Sequence, residues 1–547
     1  MDDYLWWRDG IIYQIYPRSF ADSNGDGLGD LPGITARLDY LADLGIDAIW
    51  LSPFYPTPDA DFGYDVSDHT AVDPRFGTLE DFDRLVAESH RRGIRLVLDL
   101  VLNHTSDQHP WFRESCASRD NPKRDWYIWK PPSVSPHFRR KWGESKRGTP
   151  NNWQAAFGGP AWEYDETTGQ YYLHMFLAEQ PDVNWRNPEV RKAQLDVVRF
   201  WLARGVDGFR LDVFNAYFKD AQFKNNPPKF GLRGFDRQCH VYDCDQPEMI
   251  LLLNELRAIL DAHPEHYAVG ETFFATPEKV LYYSGPDRLH AAFSFDFTPT
   301  YLFYLWNPAW LLKQIERREA FFTGEHWPTT VFSNHDIPRT ATRYTHGEQD
   351  ALAIIAVTLL LTLRGTPFMY YGEEIGMRDV SLRRGEIMDP PGKRYWPIFK
   401  GRDGCRTPMQ WDDTPYAGFS SAKPWLPVHP NYHQRNVAAQ NEDTDSLLNF
   451  TRKLIALRKE YPALRRGEFV PLLTRPRDTL VYLRRTATQT MLVALNFHDR
   501  RVCEPLNQDL TGIRWRSLLT ARDDSAALLS DNCLELAPHQ VCLLVTP

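Results

Sequence analysis

The 547-residue chain has no apolar run long enough for a bilayer: the longest, Ala351 to Leu363, is thirteen residues between Asp350 and Arg364, whereas a span needs about 20. It reads as a buried helix. There is no basic excess either. Sixty-three Lys and Arg against 72 Asp and Glu leave a net charge of −9, so neither nucleic acid nor an anionic membrane is expected as partner. Cysteines are few, seven and odd in number, with no CxxC pair, which excludes a disulfide scaffold and points to a reduced, cytoplasmic protein. Met1-Asp2-Asp3-Tyr4 carries acid where a secretory leader would carry base. Low-complexity tracts and sequence repeats are lacking. What is present is an ordinary globular balance, 42% apolar and 25% charged, with one excess: aromatics reach 14%, including 18 Trp and 25 Tyr. Such rings fill a large core, and they also suit sugar faces.

The helical and strand periods follow a repeated order. Thr78-Leu79-Glu80-Asp81 resembles a capping box, Phe82, Leu85 and Val86 supply an apolar face, and Gly93 stops the helix. Ile94 to Val101 then reads as a strand buried on both faces. The same order recurs at Leu38 to Trp50 through Gly45, at Val190 to Asp212 through Gly205, and from Leu251 to Glu271. With Ile11 to Tyr16, Ala291 to Phe297, Thr330 to Ser333 and Pro367 to Tyr371, eight strands alternate with helices. This order predicts the α/β class, a parallel (β/α)8 TIM barrel. Residues 1–104 and 171–468 are assigned to the barrel and 105–170, rich in Trp, Pro, Gly, Arg and Asn, to an inserted subdomain after strand three. Residues 469–547, where the period changes to two, are assigned to a C-terminal antiparallel β-sandwich domain.

Functional groups of such a barrel sit at the carboxyl ends of the strands. There the sequence places Asn103 and His104, Arg210 and Asp212, Glu271, and Asn334, His335 and Asp336. Any one of these could be a capping or surface acid, but all of them terminate apolar strands. Converging carboxylates without cysteine or a serine elbow suit glycosidic bond cleavage, one acid attacking the anomeric carbon while another protonates the leaving oxygen. A di-metal hydrolase would use the same acids, but only two histidines are available at these strand ends and Arg210 would stand among the ligands.

These residues resemble a known family. Asp99-Leu100-Val101-Leu102-Asn103-His104, Gly208-Phe209-Arg210-Leu211-Asp212, Val269-Gly270-Glu271 and Ser333-Asn334-His335-Asp336 are similar to the four signature regions of glycoside hydrolase family 13, the α-amylase family. Gln180-Pro181-Asp182-Val183-Asn184 resembles the extra signature of its oligo-1,6-glucosidase and α-glucosidase branch. Trp6-Trp7-Arg8 and the segment from Gly401 to Trp411 look like those of bacterial α-glucosidases that also transfer glucose. The resemblance implies Asp212 as nucleophile, Glu271 as general acid and then base, and Asp336 as the third carboxylate. It further implies that Arg210 orients Asp212, that His104 and His335 donate to the sugar, that Tyr64 stacks on its ring, and that Asp61 with Arg406 grips the 4-hydroxyl of a terminal glucose.

Asp22-Ser23-Asn24-Gly25-Asp26-Gly27-Leu28-Gly29-Asp30 places oxygen atoms at alternate positions as an EF-hand loop does, although Gly33 stands where the twelfth-position glutamate would be. The resemblance implies structural Ca2+ or Mg2+ held by Asp22, Asn24, Asp26, the Leu28 carbonyl and Asp30; an Asx-rich turn is the alternative. No organic cofactor is implied. The expected activity is exo-acting α-glucosidase on maltose, isomaltose, sucrose and short oligosaccharides, by a monomer or homodimer, with possible transglucosylation. Val213 after the nucleophile is the type associated with α-1,6 cleavage. An oligo-1,6-glucosidase, or a trehalose synthase or sucrose isomerase on the same scaffold, is the alternative; a noncatalytic transporter-associated barrel is the alternative from another class.

Overall fold

The computed structural model describes residues 4–133, 148–263, 265–298, 306–324, 326–344, 350–473, 476–510, 512–522, 528–530 and 533–546. Eight parallel strands form one sheet: β1 (Ile12–Ile15), β2 (Ala48–Leu51), β3 (Arg95–Leu100), β4 (Gly208–Leu211), β5 (Tyr267–Gly270), β6 (Ala291–Ala292), β7 (Thr329–Val331) and β8 (Thr366–Tyr370). Their order is β7-β8-β1-β2-β3-β4-β5-β6. Between the two end strands the Ser294 N–H donates to Thr329 Oγ1 at 3.1 Å, so the sheet curls nearly into a closed barrel. Alternate strand residues face inward: Ile12, Ala48, Trp50, Val97, Tyr267, Val269, Val331 and Phe368 pack in one cluster. The opposite faces join the helices in a much larger core.

The local signals act as read. Thr78 Oγ1 accepts from the Asp81 N–H at 3.2 Å while Asp81 Oδ2 accepts from the Thr78 N–H at 3.0 Å, which closes the reciprocal cap of helix Leu79–Arg91. Gly45 ends helix Leu38–Leu44 at a φ of 89°, a conformation that glycine adopts without a Cβ penalty. Ala351–Thr362 is a helix buried on every side but one residue, as its unbroken apolar sequence requires. Among the described residues no helix is long and apolar enough to cross a membrane.

A three-stranded antiparallel sheet (Trp129–Lys130, Trp162–Asp165, Gln170–Leu173) lies between β3 and β4. Its last strand runs to Leu173, past the expected boundary at residue 170, because Trp162 and Leu173 face each other in the ladder. Residues 134–147 of this insertion lie outside the described residues. Five-stranded and three-stranded antiparallel sheets follow from Glu468 onward. One expectation is corrected here: the thiols are not all free, since Cys503 and Cys533 are joined as a disulfide. They lie on strands paired antiparallel, which brings residues thirty apart in sequence within reach.

Candidate active site

The barrel's carboxyl rim is organised around Arg210, whose side chain is 1% exposed. Register sets Asp99 opposite Arg210 across the β3–β4 ladder and Leu211 opposite Gly270 across β4–β5. Beyond the strand ends the Asp212 N–H continues the ladder to Leu100 O and the Glu271 N–H continues it to Leu211 O. Three carboxylates therefore meet one guanidinium. Nη1 donates to Asp99 Oδ1 and Asp212 Oδ1, each at 2.7 Å, and Nη2 donates to Glu271 Oε2 at 2.5 Å. Gly270 is required by close approach, because a Cβ there would lie 2.4 Å from the Phe214 ring and 2.5 Å from Leu289. Val213, directly after Asp212, has a φ of 34°, a strained backbone for a β-branched residue.

One cation cannot offset three buried acids. Burial, against the pull of Arg210 and with Asp99 and Asp336 adding negative charge, raises Asp212 to about 7. Burial likewise raises Glu271 to about 7, opposed by Arg210 and reinforced by Asp212 and Asp336, and burial lifts Asp99 to about 6 against Arg210. The group titrates as a unit. A carboxyl that holds its proton near neutrality beside another that is stabilised as an anion is what acid–base work on a glycosidic bond needs.

A second cluster centres on Arg402. Its Nη2 donates to Asp61 Oδ1 at 2.6 Å and to Asp389 Oδ1 at 2.7 Å, and its Nη1 donates to Asp336 Oδ1 at 3.1 Å. Asp389 caps helix Pro390–Tyr395 through the Gly392 N–H, so the arginine is fixed to a helix start. The expected partnership of Asp61 with Arg406 is corrected. Arg406 is fully buried behind Asp336, where Nε donates to His335 O at 2.7 Å and Nη2 to Asp336 Oδ1 at 2.8 Å. The turn Asp403–Arg406 directs it away from the cavity, which Arg402 lines instead. For Asp336 burial pushes upward, but His335, Arg402, Arg406 and Arg210 together outweigh it and hold the carboxyl well below the usual range.

His335 also departs from its expected role. Its ring is 0% exposed and faces Tyr64 and Gln14 instead of presenting a free N–H to the cavity. Burial, aided by the nearby arginines, lowers it to about 3, so it is neutral. Gln14 Nε2 donates to Nδ1 at 2.7 Å, which puts the proton on Nε2, 2.6 Å from Tyr64 Oη. Tyr64 Oη in turn donates to Asp99 Oδ2 at 3.0 Å. The chain Gln14–His335–Tyr64–Asp99 has one consistent direction. His104 lines the cavity; burial lowers it to about 4, its Nε2 faces Tyr64 O at 3.0 Å and its Nδ1 faces Asn103 Nδ2 at 3.1 Å.

These groups open into a cavity of about 440 Å³, lined by Asp61, Tyr64, His104, Asp212, Glu271, Asp336 and Arg402 and edged by phenylalanines. The sequence reading left Arg402, Gln180, Asp99 and Asp389 without a role. Gln180 Nε2 reaches Asp61 Oδ2 at 3.3 Å and Tyr64 O at 3.2 Å, joining the inserted segment to the Asp61 turn. The signal that could have found Asp99 is a charge inside an apolar strand, which calls for a buried partner. In the Asp22–Asp30 loop, Asp22 Oδ1 accepts from the Gly25 N–H at 2.7 Å and Asp30 Oδ1 from the Gly33 N–H at 2.6 Å. Among the described residues no three His, Cys, Asp or Glu side chains are gathered into a metal-binding group.

A parallel barrel whose rim holds a proton-bearing carboxyl and a second carboxylate on one guanidinium is a glycoside hydrolase scaffold. The α-amylase catalytic-domain family matches residues 14–467, and the chain belongs to that family. It is similar to a probable α-glucosidase of Rhizobium meliloti (strain 1021), 45% identical over 92% of this chain and 91% of that protein. It is also similar to an oligo-1,6-glucosidase of Parageobacillus thermoglucosidasius, 39% identical over 91% of each. Among solved structures, the α-glucosyl transfer enzyme XgtA superposes with a TM-score of 0.91 at 42% identity over the full length of both chains.

Proposed function

We propose that this protein is a retaining, exo-acting α-glucosidase that releases glucose from the non-reducing end of short α-glucosides such as maltose, isomaltose and sucrose. The observation that carries the reading is the Asp61–Arg402 ion pair in the cavity that Asp212 and Glu271 also line. A carboxylate and a guanidinium together grip a sugar hydroxyl and leave no passage for a further ring, so the groove becomes a pocket for a terminal unit. Asp212 Oδ attacks the anomeric carbon as the bond to the leaving oxygen breaks, and Glu271 passes its proton to that oxygen. Glu271, now a base, takes the proton of water as the water oxygen displaces Asp212. One guanidinium holds both carboxyls, which supports the close spacing that direct attack and retention require. Asp336, kept ionised by its arginines, binds most tightly when positive charge develops on the sugar.

The test is the anomer formed first, read by NMR, together with Asp212→Asn. α-Glucose from the wild type and a loss of about 10⁴-fold or more in the variant support the reading; β-glucose, or an active variant, overturns it. A sugar hydroxyl meeting the glucosyl ester in place of water gives transglucosylation, and if the acceptor is the released half, isomerisation. Val213 favours α-1,6 over α-1,4 cleavage to a modest degree.

The loop Asp22–Asp30 is proposed to hold Ca2+ or Mg2+ through Asp22, Asn24, Asp26, the Leu28 carbonyl and Asp30. Three carboxylates, an amide and a carbonyl are an oxygen-only set suited to a hard divalent cation. The ion's role is structural: Trp425 N–H donates to Gly27 O and Asp22 N–H to Phe419 O at 3.0 Å each, so the loop anchors the segment that carries Trp425.

A further inference from the structure

The turn that carries Asp61 is a wall between two spaces. On its inner side Asp61 and Tyr64 line the cavity with Asp212 and Glu271. On its outer side Asp59, Ala60 and Phe62 line a separate, open groove of about 580 Å³, together with Arg18, Arg75 and Trp425. With open space behind it, the wall cannot be held by packing alone. Nor does the backbone favour this shape, because Asp59 has a φ of 68° and Phe62 a φ of 48°, conformations that persist only where the surroundings fix them.

Asp65 supplies the inner hold. It is 0% exposed; its Oδ2 accepts from the Ala60 N–H at 2.8 Å and its Oδ1 from the Asp61 N–H at 2.9 Å. A buried carboxylate persists only if its oxygens are hydrogen-bonded, and here both are spent on successive N–H groups of the wall. An asparagine would bring one acceptor oxygen and set its NH2 against the second N–H, so the position calls for a carboxylate. Asp59 supplies the outer hold: Oδ1 accepts from Arg18 Nη2 at 2.6 Å and Oδ2 pairs with Arg75. Arg75 is in turn fixed by Asp73 at 2.8 Å, and the Arg18 guanidinium lies 5.3–5.5 Å from the ring centres of Phe62, Phe76 and Trp425. Between the two holds, Asp61 Oδ1 meets Arg402 Nη2 at 2.6 Å and Oδ2 meets Gln180 Nε2 at 3.3 Å. An entering hydroxyl therefore finds its partners already in place, with no reorganisation left to make.

We propose that Asp65 and Asp59 are positioning residues: they hold the wall so that Asp61 is set for the 4-hydroxyl of the terminal glucose, and thereby keep the protein selective for a free chain end. This rests on the α-glucosidase reading and on Asp61 as the partner of that hydroxyl. Neither residue lines the cavity, so each acts through Asp61. A glucoside without the 4-hydroxyl forfeits hydrogen bonds to two charged groups, each worth about tenfold or more. The preference for the hydroxyl over its absence therefore reads how well Asp61 is placed.

The experiment compares kcat/KM for p-nitrophenyl α-glucoside with that for its 4-deoxy analogue. The wild type favours the glucoside by about a hundredfold. Asp65→Asn lowers that preference about tenfold, the effect of one lost hydrogen bond to a charged group, while kcat/KM for the 4-deoxy analogue stays within about threefold of the wild type. A merely structural role would lower both substrates alike and leave the preference unchanged. Asp59→Gly releases the outer hold and suits a φ of 68° without a Cβ, so it decides the matter if Asp65→Asn does not fold; its preference falls about threefold or more. A folded Asp65→Asn with the wild-type preference, or an Asp59→Gly with it, overturns the proposal. A wild type that releases no nitrophenol overturns the α-glucosidase reading instead, and one that treats the two substrates alike overturns the role of Asp61.

Discussion

Replacing Arg402 by lysine tests the geometry of the glucose pocket more sharply than removing a catalytic acid. Arg402 spans three carboxylates, Asp61, Asp336 and Asp389, at 2.6, 3.1 and 2.7 Å. A lysine keeps the charge, but its single nitrogen cannot reach along three directions as a planar fork does. Losing one hydrogen bond to a charged group forfeits about 1.5–3 kcal/mol, and each 1.4 kcal/mol is tenfold. The expected loss in kcat/KM on maltose is therefore about ten- to a hundredfold. Asp61 and Arg402 should also be non-additive: once Arg402→Lys is in place, Asp61→Asn should cause much less further loss than it does alone. Arg406→Lys, which leaves the Asp61 contact untouched, should not show this coupling. The assay is steady-state release of glucose by the four members of the cycle, with melting curves alongside because Asp389 also caps a helix. Additive losses for Asp61 and Arg402, or coupling between Asp61 and Arg406 instead, would refute the argument.

Other outcomes follow from the same electrostatics. Glu271→Gln should lower kcat/KM on maltose by about 10²–10⁴ and much less on a dinitrophenyl α-glucoside, whose leaving group needs no proton; equal losses on both would deny Glu271 the acid role. Burial raises Asp212 to about 7, above the unfolded value of about 3.9, so the folded state binds that proton more tightly. Its contribution to stability is complete below about pH 4 and lost as pH rises through about 7. Asp212→Asn should then stabilise the fold at pH 8 by on the order of 2 kcal/mol, read as a higher melting temperature, and by less at pH 5; a variant less stable at pH 8 than the wild type contradicts this. Asp99→Asn removes one acid from Arg210, so the alkaline fall in kcat/KM set by Glu271 should move to lower pH. Chelation with EDTA should lower the melting temperature, with recovery on adding excess Ca2+ or Mg2+, while a curve unmoved by either would argue against the ion.

The barrel was legible because parallel strands buried on both faces read as short apolar runs, and because the glycines that end their helices are local in sequence. Asp212, Glu271 and Asp336 were legible for a related reason: each is the first charge after such a run. Direction within a loop was not. Arg402 and Arg406 lie four residues apart in one motif, and which guanidinium enters the cavity depends on the turn Asp403–Arg406 and on Asp389 receiving Arg402. Neither can be read from spacing. His335 was misread in the same way: Gln14, on the opposite edge of the chain's sequence, claims its Nδ1 and thereby turns its proton toward Tyr64. The Cys503–Cys533 pair depends on strand register in the last domain, which seven scattered cysteines do not reveal.

The two arginine clusters explain why neighbouring buried carboxyls behave oppositely. Around Arg210, Asp99, Asp212 and Glu271 share a single cation, and all three are raised. Around Asp336 two guanidiniums, Arg402 and Arg406, serve Asp336, Asp389 and Asp61: the half-buried Asp336 falls well below the usual range and Asp389 is lowered, while burial raises Asp61 in spite of both arginines. The count of cations per acid and the depth of burial together decide which carboxyl carries a proton at neutral pH. The chemistry proposed for the site needs that asymmetry: a donor on the cation-poor side, and on the cation-rich side an anion that stays charged while the sugar becomes positive. Exchange of an arginine in the second cluster for a neutral residue would therefore act on catalysis through Asp336, even where the arginine itself never touches the reacting carbon.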